Sequence, residues 1–341
     1  LDPITGVMKQ PTSRTKSELP SGDPTRLNKL AWTRRWTERA ASVDFAKSAR
    51  STALKGSGRR SREQHGLALC TLAWHARWKG VIDDAMGYCL SAESYLPERE
   101  HAEPRARIYS ILGNVHFARN RFDLSNCALD RGFWLLRDMP DDCSQEAMVD
   151  LLLTRAIVQR HTGERARAGI TLGRAQEISS AELLPGVEYC TATWLMADGD
   201  VEGARIRGVT ALENARSQGN RVMMPYLLAL LGACDIKLER FDEARVSLDA
   251  GMTIATEDED LRVQCYVSRY LASLEMAQGN LDGAKAHLES AGRKAKALNY
   301  AFERKRTALQ LADLFEQLKD YKKAVQQHKL AWRLQNETRM S

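Results

Sequence analysis

Asp198, Asp200, Glu202 and Gly203 stand in the order that opens a calcium loop, within Asp-Gly-Asp-Val-Glu-Gly at 198–203. Such a loop needs a bidentate Glu at its twelfth position, and that position holds Val209. The stretch therefore reads as a tight turn between helices rather than a cation site. Gly-Ser-Gly-Arg-Arg-Ser-Arg at 56–62 is the densest basic run. It lacks the Gly-Lys-Ser/Thr of a phosphate loop, and a solvated loop between helices is expected. The histidines are His65, His75, His101, His116, His161, His287 and His328, none at metal-ligand spacing from a cysteine or another histidine. Asp138, Asp141, Asp142 and Cys143 cluster in Arg-Asp-Met-Pro-Asp-Asp-Cys-Ser, which reads as a loop entering a helix with Ser144 as N-cap. No nucleophile stands beside a base. No catalytic residue, metal or cofactor is expected in this chain.

The bulk properties agree with a binding rather than a chemical role. The 341 residues are 43% apolar and 28% charged, with only 7% aromatic, a mix that favours helix over sheet. The net charge of +6 is mild for this length, and a nucleic-acid binder more often shows concentrated basic stripes. Cys70, Cys89, Cys127, Cys143, Cys190, Cys234 and Cys265 are odd in number and contain no C-x-x-C pair. They read as reduced, buried, small hydrophobes of a cytoplasmic protein. The longest apolar run, 222–234, is too short to span a bilayer and contains Pro225.

The elements that position these residues emerge from a repeat. Ala244, Ala284 and Ala324 lie 40 apart, each preceded by Phe241, Leu281 or Tyr321 and followed by Leu248, Leu288 or His328. Small residues twelve earlier (Gly232, Ala272, Ala312) and seven later (Gly251, Ala291, Ala331) keep the same beat. Walked backwards, the frame gives markers at Ala85, Ser125, Ala168 and Ala204, with intervals of 36 to 43. A degenerate eighth unit precedes them, with Ala46 and Ala53 behind a Trp32/Trp36 helix. Small residues let antiparallel helices approach, and large apolar ones a turn away fill the groove beside them. Each hairpin then exposes an apolar side that the next one covers. His328 falls on a packing position of this frame.

The pattern resembles the tetratricopeptide repeat over residues 27–338, with two departures: a period near 40 rather than 34, and no closing proline. The resemblance implies an all-α, right-handed solenoid of seven to eight antiparallel helix pairs; residues 1–26, with four prolines and many Ser, Thr and Lys, read as a flexible tail before it. It also implies that the first helix of each pair lines a concave face. Carried over residue by residue, that face holds Trp74, Arg77, Trp78, Arg107, Asn114, Phe117, Arg160, His161, Tyr189, Tyr226, Lys237, Tyr266 and Arg269. Aromatic rings supply flat contact area and arginines supply carboxylate-matching forks. A peptide or small anionic ligand is the expected occupant. Asn114 matches one position of the family's carboxylate clamp, but Cys70 stands where its lysine belongs.

Long-period arrays of this type resemble sensor regions of bacterial signalling proteins. Asp-Pro-Ile-Thr-Gly-Val at 2–7 is similar to the opening of diguanylate cyclase domains. The expected function is thus a non-enzymatic interaction or sensor module that regulates an output domain such as a diguanylate cyclase. One alternative is a dimerisation scaffold built on the amphipathic C-terminal helix, with Trp332 at the seam. Another is a regulator touching nucleic acid through its Arg-rich N-terminal half. A protein or peptide is the expected partner; membrane and nucleic acid are not.

Overall fold

The computed structural model describes residues 22–98, 100–139 and 141–336, without the side chains of 141–144. The described residues form helices and no strand, in the order α1 Pro24–Thr33, α2 Arg39–Lys55, α3 Arg59–Lys79, α4 Ile82–Tyr95, α5 Ala102–Ala118, α6 Phe122–Leu136, α7 Asp141–His161 and α8 Arg165–Glu177. There follow α9 Leu184–Asp198, α10 Val201–Ser217, α11 Met224–Lys237, α12 Phe241–Glu257, α13 Leu261–Ala277, α14 Leu281–Ala297, α15 Ala301–Gln317 and α16 Tyr321–Asn336. Paired in sequence, these make eight hairpins of a tetratricopeptide-like solenoid. The Ala46/Ala53 pair belongs to α2, and both alanines are buried. Two compact units result. Unit 1 is the chain to Phe117 with Phe122–Val187 and Ala215–Val222; unit 2 is Ala118–Arg121, Glu188–Asn214 and the chain from Met223.

The period of 40 comes from longer helices. From α12 to α15 every helix has 17 residues, and each connection has three. All seven markers are buried, from Ala85 at 0% exposure to Ala324 at 2%. Gly232 shows why they are small: a Cβ there would lie 2.6 Å from Cγ of Leu248. The turn inside each hairpin keeps the same beat. A residue in the left-handed region sits five before every marker: Gly80, Asn120, Gly163, Gly199, Glu239, Gly279 and Lys319. A left-handed residue ends a helix by turning the chain back on itself. At Glu239 and Lys319 a side chain accepts that geometry at a cost.

Capping fixes several starts. Asp260 accepts from the Val263 N–H at 3.1 Å, and Asn280 from the Gly283 N–H at 3.1 Å. In the calcium-like stretch Gly199 has φ +99° and Asp200 accepts from the Gly203 N–H at 2.9 Å. It is therefore the turn that opens α10.

Four local expectations need correction. Ser144 is not an N-cap, because α7 already begins at Asp141. The basic run is not a loop throughout, since α3 starts at Arg59 and Glu63 one turn on accepts from its guanidinium at 2.7 Å. Cys127 is exposed, unlike Cys70, Cys89, Cys190, Cys234 and Cys265; the side chain of Cys143 lies outside the described residues. His328 is 46% exposed and meets Glu316 at 3.0 Å, because no described helix follows α16 to cover the position that Leu248 and Leu288 bury. In addition, α1 begins at Pro24, capped by Asp23, within the segment read as a tail. The Asp-Pro-Ile-Thr-Gly-Val stretch lies outside the described residues. Among those described, no helix is long and apolar enough to cross a membrane.

Candidate functional site

The first helices carry the candidate residues, and each unit gathers its own set. In unit 1, α3 presents Trp74, Arg77 and Trp78, and α5 presents Arg107. The connection from α1 to α2 fills the space against them. Trp36 stands edge-on to Trp74 with centroids 4.8 Å apart, and reaches Trp78 at 5.8 Å. Arg35 lies 4.0 Å over Trp32, and Arg107 lies 3.9 Å from the same ring. Glu146 of α7 accepts from the Trp32 indole at 3.3 Å and is ion-paired to both arginines. The Arg221 N–H holds the Trp36 carbonyl at 3.0 Å. Trp74 is 1% exposed as a result.

Charges of both signs meet in this cluster. Arg35, Arg77 and Arg107 face Glu103, Glu146 and Asp150, and Glu103 is ion-paired to Arg107. Burial pushes the Glu103 carboxyl up to about 7 and that of Asp150 upward too, against the pull of the arginines. His75 lies alongside. Ser42 donates its only proton to the Ala31 carbonyl at 2.6 Å, so the 2.7 Å contact to His75 requires Nε2–H of the imidazole as donor. Burial, then Arg39 and Lys79, push this imidazole down to about 3. Asn114 donates to Thr154 at 3.0 Å. Phe117 stacks edge-on against His161 at 4.9 Å. Arg160 sits half-buried near the end of α7. These last three belong to α5 and α7 rather than to the tryptophan cluster.

In unit 2 the candidates Tyr189, Tyr226, Tyr266 and Arg269 come together, while Lys237 ends α11. Tyr226 stands 5.8 Å from Tyr189 and 6.0 Å from Tyr266, and Tyr266 stands 5.0 Å from Tyr270. The Tyr189 hydroxyl donates to that of Tyr266 at 2.8 Å. Arg269, 3% exposed, donates to Glu303 and Gln310, each at 2.7 Å. Burial alone would raise the Glu303 carboxyl; Arg269, Arg306 and Arg262 outweigh it and hold the group below the usual carboxylate range. Arg262 lies 5.7 Å from the Tyr226 ring and 5.3 Å from that of Tyr300.

Sequence reasoning missed Trp32, Arg35 and Trp36 as partners of α3, although Trp-Thr-Arg-Arg-Trp at 32–36 is dense in their residue types. It also missed Tyr270, Glu303 and Arg306. Advancing the 40-residue frame from Tyr266 and Arg269 points to Arg306 and Leu309 on α15, which is signal enough for the helix but not for the partner. One further group is visible only in three dimensions. Glu63, Glu100 and His101 converge, with Arg59 ion-paired to both glutamates, so a side-chain cation already serves them.

No protein-family model matches the chain, and no curated protein matches it. Solved structures do. A Rap protein complexed with Competence and Sporulation Factor has a TM-score of 0.70 at 14% identity, covering 92% of this chain and 86% of that one. The Rap conjugation gene regulator of plasmid pLS20, in complex with the Phr* peptide, gives 0.64 at 12% identity, with 93% and 95% covered. The apo quorum sensor NprR from B. thuringiensis gives 0.58 at 17% identity, with 92% and 86% covered. At such identities the likeness is one of fold: the chain is a tetratricopeptide-like helical array.

Proposed function

We propose that the chain is a non-enzymatic sensor module that binds an extended peptide on the face of its first helices and thereby regulates a linked or partner output domain. One observation carries this reading. Four successive first helices of unit 2, α9, α11, α13 and α15, contribute Tyr189, Tyr226, Tyr266, Tyr270, Arg269 and Arg306 to a single cluster. Rings and guanidiniums stepped along such a ladder match the repeat of an extended backbone with side chains at intervals. Support comes from the similar folds, one of which holds a peptide and another of which is a quorum sensor. Occupancy would act by favouring one arrangement of the hairpins over another. Nothing in these likenesses favours a diguanylate cyclase over any other output domain.

The test is a selection from a displayed pentapeptide library against the full chain, followed by calorimetric titration of the winners. Sequence-specific binders that weaken in a Tyr226→Ala/Tyr266→Ala variant are expected. Their titration against Arg77→Ala/Arg107→Ala asks the same of unit 1. A library that yields nothing beyond what an unrelated helical protein retains would refute the reading.

A second reading, dimerisation through α16, has an observation of its own. Tyr321, Val325 and Trp332 are 64%, 50% and 67% exposed, and their spacing sets them on one side of the helix. Light scattering decides it: a wild-type mass of one chain, or a dimer that survives Trp332→Glu, removes this reading.

A further inference from the structure

The tyrosine cluster of unit 2 contains an accounting surplus. The Tyr189 hydroxyl donates to Tyr266 at 2.8 Å, and the hydroxyls of Tyr266 and Tyr270 are 3.3 Å apart. Among Tyr189, Tyr266 and Tyr270, three phenolic protons thus supply two hydrogen bonds, and one proton is left over. A head-to-tail chain, in which Tyr266 accepts once and passes its own proton to Tyr270, is favoured because each bond polarises the next. The spare donor is then the hydroxyl of Tyr270, which is half-buried where Tyr266 is 7% exposed. Burial holds Tyr189 and Tyr266 well above the usual phenol range, so these hydroxyls remain protonated donors.

The guanidiniums differ in what holds them. Arg269 is committed to Glu303 and Gln310. Arg262 is attracted by Asp260 and Glu303. Arg306 completes the set, one turn beyond Glu303 on α15, with its guanidinium 5.7 Å from the Phe302 ring. Among the described residues it makes no hydrogen bond or ion pair. Arg306 thus keeps its N–H donors for a ligand. Its electrostatic neighbours are Glu303, Tyr270, Tyr266 and Tyr189.

We propose that Arg306 and the free hydroxyl of Tyr270 form a receptor for one carboxylate, carried by the peptide that unit 2 binds. The proposal rests on the peptide-binding reading above and names the group that the face selects. A guanidinium presents two parallel N–H donors to the two oxygens of a carboxylate, and the phenol supplies a third donor to a remaining lone pair. Both residues are only partly buried, so a ligand can reach them. Arg269, the residue that the repeat frame nominates, is the support of this receptor: its bonds to Glu303 and Gln310 fix α13 against α15.

The test uses the tightest pentapeptide from the library selection, synthesised as the free acid, as the C-terminal amide, and with each Asp or Glu replaced by its amide. Arg306→Gln should weaken the free acid by about ten- to a hundredfold, the loss of a charge-assisted hydrogen bond. Arg306→Lys should weaken it less, and Tyr270→Phe by about three- to tenfold. One of the amide forms should show the same loss on wild type and no further loss on Arg306→Gln, and which form it is tells a terminal carboxylate from a side-chain one. Arg306→Gln gives up no hydrogen bond but takes part of the support from the Glu303 carboxylate, so its circular dichroism should match wild type while its melting falls modestly, and Arg306→Lys, which keeps the charge, separates that loss from the loss of binding. If peptides bind and both variants retain wild-type affinity, the receptor is wrong while peptide binding stands. If no amide form weakens, the carboxylate is wrong. If no peptide is selected, both fail.

Discussion

Replacing Glu303 by glutamine should cost about 3 kcal/mol, toward the low end of what removing one partner of a buried ion pair costs. The structure supplies the reasons for both the size and the end of the range. Arg269 is 3% exposed and its guanidinium donates to Glu303 at 2.7 Å, so water cannot replace the lost charge. Glutamine keeps an acceptor oxygen, and Gln310 continues to hold the Arg269 Nε–H, so one hydrogen bond survives. Urea unfolding of the full chain, followed at 222 nm near neutral pH, measures the difference. The sign with pH is fixed as well. The Glu303 carboxyl is held below its usual range in the folded state. Its stabilisation is therefore present above the ordinary glutamate value of about 4.3 and is lost as pH falls through the folded value. The gap between variant and wild type should close on acidification. A double replacement, Arg269→Met with Glu303→Leu, should come within about 2 kcal/mol of wild type, because an apolar pair needs no desolvated charge. A Glu303→Gln variant within about 1 kcal/mol of wild type near neutral pH, or a double variant as weak as the two single losses added, would refute the reasoning.

Other expectations follow from the same geometry. The Glu103 carboxyl, raised to about 7, favours folding most below its unfolded value and least once pH has risen past 7. Stability should thus fall by up to about 3 kcal/mol between pH 4.5 and 8, and a Glu103→Gln variant should flatten this part of a pH series of urea midpoints. Lys319→Gly and Glu239→Gly should each raise stability by about 0.5–1 kcal/mol by relieving left-handed backbone; an unchanged urea midpoint in both would count against that geometry. Gly232→Ala should destabilise by about 1–3 kcal/mol because Leu248 must move. Gly87→Ala should stabilise slightly, since nothing lies within 4 Å of its added Cβ, and reversed signs for the two would overturn the packing account.

What could be read from the chain and what could not divides along physical lines. The markers were legible because helix contact leaves no room for a side chain at Ala244 or Ala284, so composition itself records the geometry. The turns were legible only where glycine stands. Glu239 and Lys319 occupy the same left-handed positions without announcing it, because the flanking helices fix the turn whatever residue fills it. His328 shows the reverse case: its position in the frame is a packing position, but packing needs a following helix. On the first-helix face, Tyr226, Tyr266 and Arg269 followed from counting. The same count reaches Arg306 but not what sets it apart, the want of a hydrogen bond or ion pair, which is a property of three dimensions. The tryptophan cluster was hidden for a related reason. Trp32 and Trp36 meet α3 and α5 through a turn whose path no local pattern encodes.

The connections of three residues between helices of 17 make the length of this chain a quantised variable. Removing residues 241–280 would put Ala284 where Ala244 stands, Leu288 in place of Leu248, and Ala291 in place of Gly251. Every interface would find a matching surface, and the loss would be one repeat and one junction. Removing a single residue more would turn each following helix by about 100° about its own axis, driving Leu288 toward solvent and a charged side chain toward its neighbour. From α12 onward the array can lengthen or shorten only in steps of forty, and by whole rungs of the tyrosine ladder at a time. Changing the reach of the recognition face is then a matter of copy number, whereas changing its preference is a matter of single substitutions on first helices.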